Sequence, residues 1–296
     1  MPVVVDNIQS ASTGDLLTVV VSGFVVGSGD NRLLIVGVSM NNHATNGPSE
    51  VLTVTFGVDS LARSGFVENL DDARAEIWYL VNPSSVEADI TVTVDANVSA
   101  GWVVGAISFF GVDQLAPISG AVSNIGTSIT PNVIVPSSYR ELVVDVLAVE
   151  TIDGATGSVG EGQTERWSIG VQTSYEVWGA CSTQPGEAAA AMTWLSDDIS
   201  DDWAIIAVAI RASTSYEVEG FGRQRARLEL FDSLTRGLSL YDASLSPMTR
   251  CLAYFGLDYL NQRWMWTYEG QGVTDDQWAE IEQYLDIAFN EIWIPI

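Results

Sequence analysis

The side chains that serve most often as nucleophiles, general bases and metal ligands are scarce in this chain. His43 is the single histidine, and Cys181 and Cys251 are the two cysteines. This inventory argues against a Ser-His-Asp triad, a Cys/His zinc site and a facial-triad iron site. We expect His43 on a surface loop and both cysteines as small, reduced core residues, with a disulfide between them as the alternative.

Carboxylates are abundant, and the densest run of them is a weak candidate for calcium. Calcium takes several carboxylate and carbonyl oxygens on a flexible loop. The run lacks the glycine and the terminal glutamate of an EF-hand loop, so a solvated acidic loop is the interpretation we favour, as it is for Asp71 and Asp72. The candidate ligands are Asp197, Asp198, Asp201 and Asp202.

Two other acids each stand two residues before a tryptophan, in the segments Glu76–Trp78 and Glu176–Trp178. A glycosidase built on a sandwich would place two carboxylates and aromatic side chains on a concave sheet. The two segments also correspond in an internal repeat, described below, and we therefore expect them to mark equivalent structural positions. We assign no catalytic residue, no metal and no cofactor, and we predict that the chain is not an enzyme.

The charge balance restricts the partners of the protein. The 296 residues carry 38 acidic side chains against 12 basic ones, all of them arginine, for a net charge of −26. Such a surface repels phosphate backbones and anionic lipid, so we expect neither a nucleic-acid partner nor a membrane partner. The first residues lack the basic and apolar regions of a secretory signal, and the apolar runs are far shorter than the roughly 20 residues of a membrane span.

Residues 1 to about 212 have the pattern of an all-β region. Short runs of Val, Ile, Thr and aromatic residues alternate with Gly, Asn, Asp and Pro turn clusters, which is typical of a sandwich. The segment Thr91–Val94 alternates, as a strand with one solvated face does. The segment Leu33–Val36 is apolar throughout, and we expect it to be covered on both faces.

An internal repeat is the most specific feature of this region. Arg32 before one apolar run corresponds to Arg140 before another, and the same holds for Trp78 with Trp178 and Trp102 with Trp203. The spacings are all about 100 to 108 residues. The repeat, about 31–111 and 139–212, predicts two similar multi-strand halves folded face to face, as in a jelly roll or double Greek-key sandwich.

A different pattern begins at residue 213 and predicts a small α-rich C-terminal region, 213–296. Thr274 is a helix N-cap with Gln277 as its capping-box partner, and an apolar stripe at steps of three and four residues follows. The four tryptophans of this region form either a compact core or an aromatic face that needs a partner. Its three clustered arginines pair with acids either within the chain or of a neighbouring subunit. The candidate assembly residues are Arg223, Arg225, Arg227, Trp264, Trp266, Trp278 and Trp293.

The segments Asn31–Val38, Glu76–Pro83, Gly105–Asp113 and Glu141–Asp145 together resemble a recurrent β-sandwich module of tailed-bacteriophage structural proteins, also seen in some bacterial surface proteins. The resemblance covers about residues 10–212 and brings no catalytic residues with it. It implies a component of the virion, such as a head-decoration, fibre or tail-surface protein.

The sequence therefore predicts a non-enzymatic virion structural protein that assembles through its C-terminal region. Its expected partners are other virion proteins and further copies of itself, most simply in a trimer. The alternative is a carbohydrate-binding or adhesin module, in which Trp and Tyr side chains on the strands stack on a host surface glycan. A sandwich glycosidase or lyase is a third hypothesis, and it requires a cleft with two converging acids.

Overall fold

The computed structural model describes residues 2–14, 16–42, 49–70, 72–96, 98, 101–151, 156–171, 176–197 and 202–213. They belong to one compact unit, Met1–Tyr216. Its regular structure is antiparallel β-sheet, with no helix in these ranges, which confirms the predicted mainly-β class there. No helix in this part of the chain is therefore long and apolar enough to span a membrane.

The first nine strands form a two-sheet sandwich, which we call module 1. Its inner sheet has the order β1-β9-β3-β7-β6, and its outer sheet has the order β2-β8-β4-β5. The strands are β1 (Val4–Thr13), β2 (Thr18–Val25), β3 (Leu33–Asn41), β4 (Val51–Phe56), β5 (Asp59–Ser60), β6 (Ala62–Glu68), β7 (Ala73–Val81), β8 (Glu87–Val94) and β9 (Trp102–Phe110).

The next eight strands form a second sandwich of the same design, module 2. Its inner sheet has the order β10-β17-β12-β15-β14, and its outer sheet has the order β11-β16-β13. The strands are β10 (Val122–Thr127), β11 (Asn132–Val135), β12 (Leu142–Thr151), β13 (Gly157–Val159), β14 (Thr164–Val171), β15 (Glu176–Pro185), β16 (Ala190–Ser196) and β17 (Asp202–Ile210).

The two modules share one nested pairing scheme. In module 1 the first strand pairs with the last, β2 with β8, and β3 with β7; in module 2 the corresponding pairs are β10–β17, β11–β16 and β12–β15. Each copy begins two strands before the repeat seen in the sequence. Each is also a complete sandwich, whereas the sequence predicted a single sandwich assembled from both halves. The reason is that each copy supplies its own outer sheet.

The modules stack through their inner sheets, so that four β-layers enclose three apolar cores. One core fills module 1, one fills module 2, and the third lies between the inner sheets. Strand β3 serves two of these cores: Leu34 and Val36 face the outer sheet of module 1, and Leu33 and Ile35 face module 2. Every residue of β3 is buried, which confirms that this apolar run is covered on both faces.

Candidate functional site

Glu76, one of the two acids that precede a tryptophan, lies on β7 and faces the interior of module 1. It is fully buried and binds the side chain of Arg74, two residues earlier on the same strand, with 2.8 Å between Oε1 and Nε. Trp78 donates its indole N–H to the other carboxylate oxygen at 2.9 Å. The alternation of a strand places Arg74, Glu76 and Trp78 on one face, where both carboxylate oxygens of Glu76 have a donor. The Nη2 of Arg74 has no hydrogen-bond partner among the described residues and lies 4.0 Å from a carboxylate oxygen of Glu50. Glu76 is thus part of a buried ion pair.

Arg74 holds this cluster together. Its guanidinium also donates to Glu68 at 3.0 Å and lies over the ring of Phe66, 4.2 Å from the ring centroid. Arg63, which is partly exposed, lies 3.8 Å from the other carboxylate oxygen of Glu76, Oε2. A buried arginine flanked by carboxylates and an aromatic face has every feature of a structural ion-pair network.

Glu176, the repeat-related acid, has a different environment. It is the first residue of β15 in module 2 and is only partly buried, and its backbone carbonyl accepts a hydrogen bond from Asn41 of module 1. The indole of Trp178 donates to Ser168, at 2.9 Å, and not to the acid. Glu76 and Glu176 therefore lie in the inner sheets of different modules, and neither forms with its tryptophan a site repeated in both copies.

Asp145 is a buried acid that the sequence analysis missed. It lies on β12, inside the core of module 2, and is fully buried. Its Oδ2 accepts a hydrogen bond from the indole of Trp194 at 2.8 Å, and its Oδ1 accepts from the backbone N–H and the hydroxyl of Ser182. Burial raises the pKa of Asp145 to about 7, although these three hydrogen bonds work in the opposite direction.

The hydrogen-bond network around Asp145 extends to the outer sheet of module 2. Gln163 donates to the hydroxyl of Ser182 at 2.7 Å, and its side-chain oxygen accepts from the backbone N–H of Thr193 at 2.7 Å. The only sequence signal for this network is an aspartate in the middle of the apolar run Leu142–Val149. Since every oxygen of the acid has a donor from this chain, the arrangement serves packing and not substrate binding.

Cys181 lies on the opposite face of β15, within the core between the two modules. It is a buried free thiol. Burial raises the pKa of Cys181 well above its ordinary value, and the nearby charge of Asp145 acts in the same direction. A thiol that stays protonated is a poor nucleophile. Cys251, its alternative disulfide partner, lies outside the described residues.

Three other carboxylates meet where the modules adjoin. Asp72 precedes β7 in module 1, while Glu150 and Asp202 lie on the paired strands β12 and β17 of module 2. Their carboxylate oxygens lie within 4.8 Å of one another. Oxygen ligands of this type suit Ca²⁺ or Mg²⁺. The described residues offer nothing else there that selects an ion over solvent, and we assign the group no metal.

Two of the four predicted calcium ligands, Asp197 and Asp202, lie among the described residues. Asp202 belongs to the group just described, whereas Asp197 is exposed at the end of β16, and its backbone N–H donates to Thr156. Asp198, Asp201 and His43 lie outside the described residues. So do all of the candidate assembly residues: Arg223, Arg225, Arg227, Trp264, Trp266, Trp278 and Trp293.

Tryptophans within the described residues are core side chains. Two of them belong to the core of module 1, three to the core of module 2, and Trp167 to the core between the modules. The most exposed of them retains 8% of its surface. They are Trp78, Trp102, Trp167, Trp178, Trp194 and Trp203.

Comparisons with known proteins add no assignment. No protein-family model matches the chain, and a search of curated proteins finds no significant match to it.

Proposed function

We propose that this chain is a non-enzymatic structural component of a bacteriophage virion, in line with the resemblance of its β-sandwich segments. The observation that carries the proposal is that the buried carboxylates and the thiol in the described part of the chain are enclosed in its cores and are not available to a substrate. Glu76 and Asp145 are buried and bonded to side chains of their own module, and Cys181 is a buried thiol. Groups held in this way stabilise a scaffold and leave no reactive atom at a surface.

Each module is proposed to be a jelly roll. The nested pairing of first strand with last, in two facing sheets, supports this classification for both copies. The α-rich region 213–296 is proposed as the part that anchors the protein in the particle, where it contacts further copies of the chain and other virion proteins. A rigid double sandwich would then project from, or clamp, the particle surface.

A structural role is preferred to carbohydrate binding because of where the aromatic side chains lie. The alternative was motivated by tryptophans and tyrosines on the strands, and a sugar ring stacks only on an exposed aromatic face. Within the described residues the tryptophans are buried. Two aromatic side chains of the described residues are exposed: Tyr139 on a turn, at 87%, and Phe66, at 46%, whose ring is occupied by the guanidinium of Arg74.

Removal of the C-terminal region tests the proposal. We expect a chain that ends at residue 212 to remain soluble and β-rich, because both modules keep their cores, but no longer to attach to particles. The measurement is co-sedimentation of full-length and truncated protein with particles that lack the native copy. Full particle binding by the truncated chain would contradict the proposed anchor.

A further inference from the structure

The contact between the two modules has the reciprocity of a symmetric dimer. Strand β3 contacts β15, and its counterpart β12 contacts β7; β7 contacts β17, and its counterpart β15 contacts β9. The edges follow the same rule, since β1 meets β14 while β10 meets β6. Reciprocal contacts between equivalent elements define an isologous, two-fold interface. Module 1 and module 2 therefore pack as the two halves of a homodimer would.

The strand registers locate the centre of this pseudo-symmetry. Trp102 pairs with Met40 in module 1 as the repeat-related Trp203 pairs with Val149 in module 2. Gly37 and Val146, each three residues earlier on β3 and β12, therefore occupy equivalent positions. These two residues also face each other across the interface: a Cβ added to Gly37 would lie 2.6 Å from a methyl carbon of Val146. Equivalent residues meet each other only near a two-fold axis.

The two sides of the interface differ in the size of their side chains, and a large side chain of module 2 fits against small residues of module 1. Trp167 of module 2 lies against the glycines of module 1, and a Cβ added to Gly105 would come within 2.1 Å of its ring. The same indole would lie 3.0 Å from a Cβ on Gly37. The large side chain fits because two glycines of module 1 leave room for it, while module 2 carries Val146 and Ile206 at the corresponding places.

Three polar side chains of module 1 add directed bonds to the apolar contact. Ser39 donates to the backbone carbonyl of Leu147 at 2.7 Å, within the buried interface. Asn41 donates to the carbonyl of Glu176 at 2.8 Å, and Asn69 donates to that of Gly126 at 3.0 Å. Buried donors that need these carbonyls oppose any other pairing of the sheets.

We propose that the face of the inner sheet of module 1 that packs on module 2 is a protein–protein interface that holds without the covalent link. Its one fitting partner is the inner sheet of module 2. The chain is thus a fused dimer whose halves recognise each other without the covalent link. The same chemistry accepts module 2 of a second copy, so that exchange of modules between chains is open to this protein. The inference does not depend on a role in a virion.

The test cuts the link in the full-length protein. A recognition sequence for a site-specific protease is inserted after Leu115, which is 98% exposed between the modules. After cleavage under native conditions, we expect both fragments to elute together on size exclusion at about 1 µM. Separation of the wild-type fragments into two folded species would overturn the proposal.

Two glycine variants attribute the association to this interface. Gly105→Ala places a methyl group against Trp167, and we expect it to weaken fragment association by about tenfold or more. Gly120→Ala is the matched control, because a Cβ there meets nothing within 4 Å. Equal association of the two variants would contradict the proposal. Should Gly105→Ala fail to fold, Ser39→Ala replaces it, with an expected loss of about fivefold.

Discussion

The Arg74→Met substitution is expected to lower the free energy of unfolding by about 3–5 kcal/mol, the usual cost of leaving one partner of a buried ion pair alone. Glu76 has no exposed surface, and it would keep only the indole of Trp78 and the more distant, partly exposed Arg63. Glu68 suffers less, because 21% of its side chain is exposed to solvent. Chemical denaturation of both proteins measures the difference.

Two further variants identify the cause of this loss. Arg63→Met removes a partly exposed cation 3.8 Å from the same carboxylate and should cost about 1 kcal/mol or less. The double variant Arg74→Met/Glu76→Leu removes the stranded charge together with its partner and should regain much of the stability. If the double variant were as unstable as Arg74→Met, the loss would come from packing, and the account of this cluster as an ion pair would be wrong.

The second large effect is a fall in stability with rising pH that Asp145 causes. Its pKa is raised to about 7 in the folded chain, from 3.8 for an ordinary aspartate. Between these values the folded state holds a proton that the unfolded state has released, so its contribution is fully present below the lower pKa and is lost as pH rises through the higher one. The total is about 4 kcal/mol.

An Asp145→Asn variant isolates this contribution, since the amide has the shape of the protonated acid and does not titrate. We expect wild type to lose about 4 kcal/mol relative to the variant between pH 4 and pH 8. Glu161→Gln, at an exposed turn, is the matched control for removal of one negative charge. Parallel stability profiles for wild type and Asp145→Asn would show that the buried carboxylate carries no such penalty.

The strands most evident in the sequence are those with apolar side chains on both faces, although alternating strands such as β8 were predicted as well. Strands β3, β9, β12 and β17 lie inside the four-layer stack, and their nearly continuous apolar runs are plain in the sequence. Strands such as β10 (Val122–Thr127) and β13 (Gly157–Val159) lie at sheet edges and are short or polar. Their strand conformation comes from pairing with a neighbour, which local sequence does not encode.

The arrangement of four β-layers in two sandwiches could not be predicted from the sequence, for a related reason. A repeat of about 100 residues is compatible with one sheet per copy or with one sandwich per copy, and only the number of strands decides. The three strands that form the outer sheet of module 2, β11, β16 and β13, are all absent from the segments that the sequence indicated as strands. Without them, the second copy has too few strands for a sandwich of its own.

The polar clusters show the same limit. The repeat predicted equivalent positions for Glu76 and Glu176, but the strand registers place Ala180 at the counterpart of Glu76, so this prediction was wrong. The partner of Glu76, Arg74, becomes evident only when both side chains face one core.

The sequence analysis did not identify Asp145 because its counterpart in module 1 is Val36, so no polar residue recurs at this position of the repeat. A buried acid is recognised by its donors, and Ser182 and Trp194 are distant in sequence.

The most direct test of the proposed virion role is the copy number of this chain in purified particles of a phage whose genome carries its gene. Quantitative mass spectrometry against the major capsid protein measures that number. The account predicts a fixed, multiple-copy stoichiometry that survives washing in high salt. Recovery of the chain only from the soluble fraction of the lysate, with none in the particles, would contradict it.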